Sequence, residues 1–281
     1  MSRFLKPLTL LRGALAACAA GVLLAACGGG TSQVDPFAPD RFIAFGDELS
    51  AFTSDGRKWS INAYNSAGTA FDCKLYPLWI QAVADIHSMK FAQCPAGTTD
   101  AKAETVAVDG ATIAGLKAQI DARVPEPFSE KVLVTVLVGM HDVKEIYENR
   151  GSKTDAELLE EARQRGLDLA AQVNRLVGLG AKVIVSTVPD VGLTPWAVAK
   201  GATEAKLLTE LTLALNGRLR VNMLNDGRYI GLVLLDEQTQ TAVRYPSIFG
   251  AAPVELRTTS SGATTTRVAA VSPSMRRMSR S

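Results

Sequence analysis

Histidine is almost absent from this 281-residue chain: His87 and His141 are the only two, and none follows residue 141. With four cysteines beside them, no group of residues has metal-ligand spacing, and neither a metal nor another cofactor is expected. The 4 Cys and 23 Gly also exclude a disulfide-dense scaffold and a collagen-like repeat. Aromatic residues are few, at 6%, so a binding platform would have to come from Trp59, Trp79, Trp196 or Tyr64. Neither Gly-x-Gly-x-x-Gly nor Gly-x-x-x-x-Gly-Lys-Ser/Thr occurs, so nothing supports a nucleotide cradle. A basic stripe is lacking too. The formal net charge of +2 sits at the ends, with Arg3, Lys6 and Arg12 at one and five Arg against one Glu after Pro253 at the other. Setting aside those three charges and the net four of the C-terminal segment leaves −5 over residues 27–253. So acidic a body argues against nucleic acid as a partner. A hydrophobic content of 47% excludes a wholly disordered chain.

The first segment has the make-up of an export signal. Three cations precede an uncharged run over residues 13–26, too short to cross a bilayer but of signal-peptide length. Leu24-Ala25-Ala26-Cys27 resembles the lipobox of bacterial lipoproteins, in which the cysteine becomes the lipid-modified first residue. Leu15-Ala16-Ala17-Cys18 has the same pattern, but Arg12 leaves it almost no apolar stretch beforehand. The resemblance implies a signal over 1–26, a lipid anchor on Cys27 and a tether over 27–40. Gly28 rather than Asp after the cysteine implies the outer membrane, and the membrane is then a partner through the anchor. A cleaved signal with a free Cys27 is the plainer alternative. Export leaves Cys73 and Cys94 as an even pair in an oxidising compartment, either bridged or as two buried thiols. Residues 251–281, rich in Arg, Ser and Thr, bury little and read as a disordered or frame-altered tail.

Between these ends, over 41–250, strands alternate with helices. Residues 41–45, 131–138, 182–188 and 229–235 are short apolar runs, the second continuous and β-branched as in a strand covered on both faces. Thr154 and Glu157 form a capping box before a helix that stops at Gly178 and Gly180. Leucines at 208, 211, 215 and 219 mark a second helix, and Ile113, Leu116 and Ile120 a third. The expected fold is α/β, a three-layer sandwich with a parallel sheet. Ligands of such sheets lie beyond the carboxyl ends of the strands. The polar, glycine-containing residues fall there: Gly46-Asp47-Glu48, Asp109-Gly110-Ala111, Gly139-Met140-His141-Asp142 and Pro189-Asp190.

Over residues 41–236 these strand ends resemble the SGNH (GDSL) hydrolases, esterases and lipases with a flavodoxin-like fold. Phe45-Gly46-Asp47-Glu48-Leu49-Ser50 is similar to the first block, Gly-Asp-Ser-Leu, and Val108-Asp109-Gly110 to the second, whose glycine amide binds the oxyanion. Gly139-Met140-His141-Asp142 is similar to the third, Gly-x-Asn-Asp, and residues 179–185 with Pro189 and Gly192 to the fourth. The resemblance implies an ester hydrolase whose site holds Glu48, Gly110 and His141, supported by Asp47 and Asp142. Three family residues depart. Glu48 stands where the nucleophilic serine belongs, His141 where the asparagine belongs, and the late Asp-x-x-His is missing, as in a truncated or frame-shifted member.

Losing the serine or histidine of such a triad costs about 10⁶ in rate, and attack by a carboxylate would give only an anhydride. Glu48 is left with the role of a general base on water, if burial and the neighbouring Asp47 raise its pKa, with His141 as donor or base. Ser50, two residues on, points elsewhere. The expectation is an exported lipoprotein of the esterase fold with altered or lost activity, or a non-catalytic envelope protein that holds an acyl or glycan ligand in the same cleft.

Overall fold

A computed structural model describes residues 36–95, 98–124 and 128–249. The export signal, Cys27, the tether as far as residue 35 and the tail over 251–281 lie outside the described residues.

Five strands, β1 (Arg41–Gly46), β2 (Ala103–Thr105), β3 (Val132–Leu137), β4 (Lys182–Ser186) and β5 (Ile230–Val233), form one sheet of order β2-β1-β3-β4-β5. Every pair is parallel, with Phe45 opposite Val136 and Val136 opposite Val185. This is the flavodoxin-like strand order, whose direction of winding switches between β1 and β3. All six residues of β3 are buried, because the sheet is covered on both faces there.

The helices are α1 (Trp79–Ile86), α2 (Ile113–Arg123), α3 (Met140–Glu148), α4 (Asp155–Gly178), α5 (Pro195–Val198), α6 (Ala202–Asn222) and α7 (Leu235–Arg244). On one face, Ile43, Phe45, Val134, Val136, Val183 and Val185 share a core with α2, α3, α4 and α6. On the other, Phe42, Ala44 and Leu133 pack with Ile80 and Ala84 of α1 and with Met89 and Phe91. The Cys73–Cys94 disulfide, 21 residues apart in sequence, belongs to this second, smaller cluster. The buried Lys58 ammonium donates to the carbonyls of Cys73 (3.2 Å), Leu75 (2.5 Å) and Tyr76 (3.0 Å), and burial lowers its pKa. It gathers the long segment between β1 and α1.

Three elements differ from the sequence-based expectation. β2 has no apolar run to announce it, since Ala103-Glu104-Thr105 is a strand only through its pairing with β1. Residues 109–111 are therefore not a strand end but lie in the turn that follows, where Val108 N–H donates to the Gly46 carbonyl (3.0 Å). The last apolar run, expected over 229–235, is a strand only as far as Val233; Leu235 begins α7, where Asp236 is buried against Arg220 at 2.6 Å.

One helix crossing depends on a glycine. A Cβ on Gly166 of α4 would lie 2.2 Å from the Leu215 carbonyl oxygen and 2.8 Å from Arg218 Cβ on α6. In an exposed helix Gly→Ala gains about 1 kcal/mol, but forcing α4 and α6 apart costs about 1–3 kcal/mol and removes that gain. Thermal unfolding should therefore show Gly166→Ala destabilised; a raised Tm would contradict the packing.

Candidate active site

The site lies where the strand order switches, beyond the ends of β1 and β3. β1 ends at Gly46, with φ +138°, and a Cβ there would stand 2.0 Å from the Leu137 carbonyl oxygen. Only glycine lets the chain turn out against β3. The Gln119 side chain of α2 clamps this glycine from both sides, accepting from its N–H (3.0 Å) and donating to its carbonyl (2.9 Å). Nothing in the sequence pattern singles out Gln119.

Asp47 then caps a single 3₁₀ turn, Glu48–Ser50, by accepting from Leu49 N–H at 3.1 Å. Side chains in such a turn are spaced about 120° apart, so Glu48 and Ser50 diverge. Ser50 is buried, its hydroxyl accepting from Trp79 Nε1–H (3.1 Å) and its carbonyl from the Thr105 hydroxyl (2.6 Å). It takes no place at the rim.

Glu48 faces two other loops. Gly110, with φ +72°, donates its N–H to Glu48 Oε2 at 3.1 Å. His141, in the first turn of α3 behind Gly139 (φ +125°), brings Nε2 to 2.8 Å from Oε1 and 2.9 Å from Oε2. An ionised carboxylate only accepts, so Nε2 carries the proton of this pair. Glu48, Gly110 and His141 thus meet at one point, although they come from loops 62 and 93 residues away from Glu48. Only 12% of the Glu48 side chain and 25% of the His141 side chain are exposed.

The electrostatics reverse one expectation. Burial is the largest single influence on Glu48 and acts to raise its pKa. Its own backbone amide, the His141 ring and the Gly110 amide together outweigh burial and hold the carboxyl below its ordinary value. The raised pKa expected of Glu48 belongs to its neighbour. Asp47 is 1% exposed, one of its oxygens has no partner, and burial pushes its pKa up to about 7, helped by the Glu48 charge. Asp142 is fully buried and pushed up to about 6 by burial. Its Oδ2 accepts from Ile113 N–H (2.9 Å), tying the start of α3 to the start of α2, and Arg165 stands 3.5 Å from Oδ1.

Beside His141 opens a cleft of about 350 Å³, lined among others by Thr112, Ala114, Lys144, Glu145 and Arg165. A larger cavity of about 420 Å³ lies by the disulfide, near Gln81, Met89 and Phe91, and includes none of the site residues. The four aromatic candidates have separate settings. Trp79 holds Ser50, Trp196 packs edge-on against Tyr147 (5.7 Å), Tyr64 stacks on Phe71 (4.6 Å), and Trp59 is exposed. Among the described residues, no group of three or more His, Cys, Asp or Glu could hold a metal ion.

No family model matches the sequence, and no curated protein matches it significantly. Among solved structures, the chain is similar to an acetyl xylan esterase at 12% identity, over 74% of this chain and 84% of that one, with a TM-score of 0.41. It is also similar to a phospholipase A1 from Streptomyces albidoflavus at 15% identity, over 81% and 91% of the two chains, with a TM-score of 0.42. Neither likeness bears on the chemistry of the site.

Asp47 gives the site a pH signature. Folded, it keeps its proton up to about pH 7, whereas the unfolded chain releases it near 3.8. Its contribution to stability is complete below the unfolded value and is lost as pH rises through this window, at up to about 1.4 kcal/mol per unit. Asp47→Asn keeps the acceptor for Leu49 and removes the titration. Its Tm should fall less than wild type between about pH 4 and 7 and exceed wild type above that range. Equal slopes would contradict a buried, protonated carboxyl.

Proposed function

We propose that this chain is an exported, lipid-anchored protein of the outer membrane, built on the ester-hydrolase fold, in which the serine acyl-transfer route is closed and the cleft serves to hold a ligand. One observation carries this reading: the Glu48 carboxylate, bound through both oxygens, stands at the position that the SGNH resemblance assigns to serine.

Each alternative use of Glu48 is weak on magnitude. As a nucleophile a carboxylate yields an anhydride, and without serine the family's rate falls about 10⁶-fold. As a general base it is poor, because its pKa lies below the ordinary carboxylate value, far from neutral. The donors that would stabilise a developing oxyanion, the Gly110 amide and the His141 ring, are already committed to Glu48. What remains is a cleft whose lining includes the polar and charged side chains of Thr112, Lys144, Glu145 and Arg165. Between an acyl chain and a glycan, that lining favours the glycan.

The full chain, purified from membranes in mild detergent, tests both parts. Hydrolysis of p-nitrophenyl acetate should equal that of detergent buffer and be unchanged in Glu48→Gln and His141→Ala. Turnover above buffer that falls at least about tenfold in both variants would overturn the closed-site reading, since that is the loss of a working catalytic group. In the same preparation, wild type should partition into the detergent phase and Cys27→Ser should stay aqueous; equal partitioning would remove the lipid anchor.

A further inference from the structure

We infer that the Gly110 amide and the His141 ring form an anion-binding site for a small carboxylate, in which Glu48 is a tethered occupant that keeps free anions out. The inference concerns the same rim as the proposed function and rests on that reading only in treating Glu48 as a bound anion.

The donors and their occupant are structurally independent. Gly110 N–H is set by the turn after β2, and His141 by the first turn of α3. Neither loop is built from the 3₁₀ turn that carries Glu48. Apart from its own backbone amide, the Glu48 carboxylate is held by these two donors: Gly110 reaches Oε2 at 3.1 Å and His141 Nε2 reaches both oxygens at 2.8 and 2.9 Å. Two donors closing on one carboxylate, most of it out of solvent, are the contacts a free carboxylate would need. There is open space as well. A Cβ built on Gly110 would meet no atom within 4 Å, so the space on the side-chain side of this residue is open.

Removing the side chain leaves two donors without their acceptor, the exposed Gly110 amide and the partly buried His141 ring, and the buried one is costly to leave unpaired. An anion supplied from solution relieves that cost. In the native chain the tether gives Glu48 an effective concentration in the millimolar range or above, so it outcompetes dilute carboxylates. Glu48 then acts as an autoinhibitory contact, and the ligand class that it shuts out is the small organic acid, the kind of product that cleavage of a short acyl ester releases.

The test uses the full chain in detergent, with the ¹H–¹⁵N signals of the Gly110 amide and of the two histidine rings followed during titration with sodium acetate against sodium chloride. Glu48→Ala should show a saturable acetate shift at Gly110 and His141 but not at His87, with a Kd on the order of 1–10 mM. Wild type should show none over the same range. Adding His141→Ala to Glu48→Ala should weaken the Gly110 response at least about tenfold, the loss of one charge-assisted hydrogen bond. If Glu48→Ala does not fold, Glu48→Ser, which keeps a polar side chain on the 3₁₀ turn, carries the same titration. A folded variant whose Gly110 and His141 signals ignore acetate up to about 100 mM would overturn the inference, as would a wild type that responds at the same concentration. Ester turnover by wild type reports on the closed-site reading separately, so the two can fail independently.

Discussion

The arrangement at the rim depends on the bonding of one carboxylate. Glu48 projects from the turn after β1 and is met by an amide from the loop after β2 and an imidazole from the loop after β3. Three parallel strands end side by side here because the sheet reverses its winding between β1 and β3, the place where open α/β sheets leave a crevice. Glycines make the approach possible. Gly46 passes within a Cβ radius of Leu137, and Gly139 sits so close to Val188 that a Cβ would stand 2.6 Å from its Cγ2. Behind them, Gln119 and Asp142 fix the ends of β1 and α3 to α2, so the three functional groups are carried on backbone that is itself held from below.

The same bonding divides the titration between neighbours. Asp47 and Glu48 are adjacent acids at one strand end, yet their pKa values move in opposite directions. Glu48 has its own amide, the Gly110 amide and the His141 ring to favour its charge, whereas Asp47 has two backbone amides, its own and that of Leu49, and an oxygen with no partner. Burial therefore wins at Asp47 and loses at Glu48. Below about pH 7 the buried Asp47 carboxyl keeps its proton, and the negative charge stays on the one that faces His141. This division makes Glu48 a ligand for its surroundings more than a base toward a substrate.

Much of this was legible in the residue pattern. The continuous β-branched run of β3 announced a strand buried on both faces, and the capping box at Thr154 and Glu157 announced the start of α4, where the structure has both contacts. The convergence of Glu48 and His141 followed from strand ends, because a parallel sheet puts them on one edge, whereas Gly110 comes from the turn after β2. Other features were not legible. β2 is made of Ala, Glu and Thr, and only pairing to β1 makes it a strand. Gln119 looks like any polar residue on a helix. The direction of the Glu48 shift could not be read, because it is decided by three distances near 3 Å that sequence spacing does not contain. The aromatic residues likewise gave no hint that Trp79 is used to hold Ser50 away from the rim.

The central claim, that Glu48 and His141 are bonded to each other in the folded chain, is tested most directly by a double-mutant cycle. Unfolding free energies of wild type, Glu48→Ala, His141→Ala and the double variant give the coupling between the two side chains without reference to any ligand or activity. The account predicts a favourable coupling of about 1 kcal/mol or more, the worth of a partly buried, charge-assisted hydrogen bond. Strictly additive single-variant effects would mean that the carboxylate and the imidazole do not meet, and the site described above would not exist.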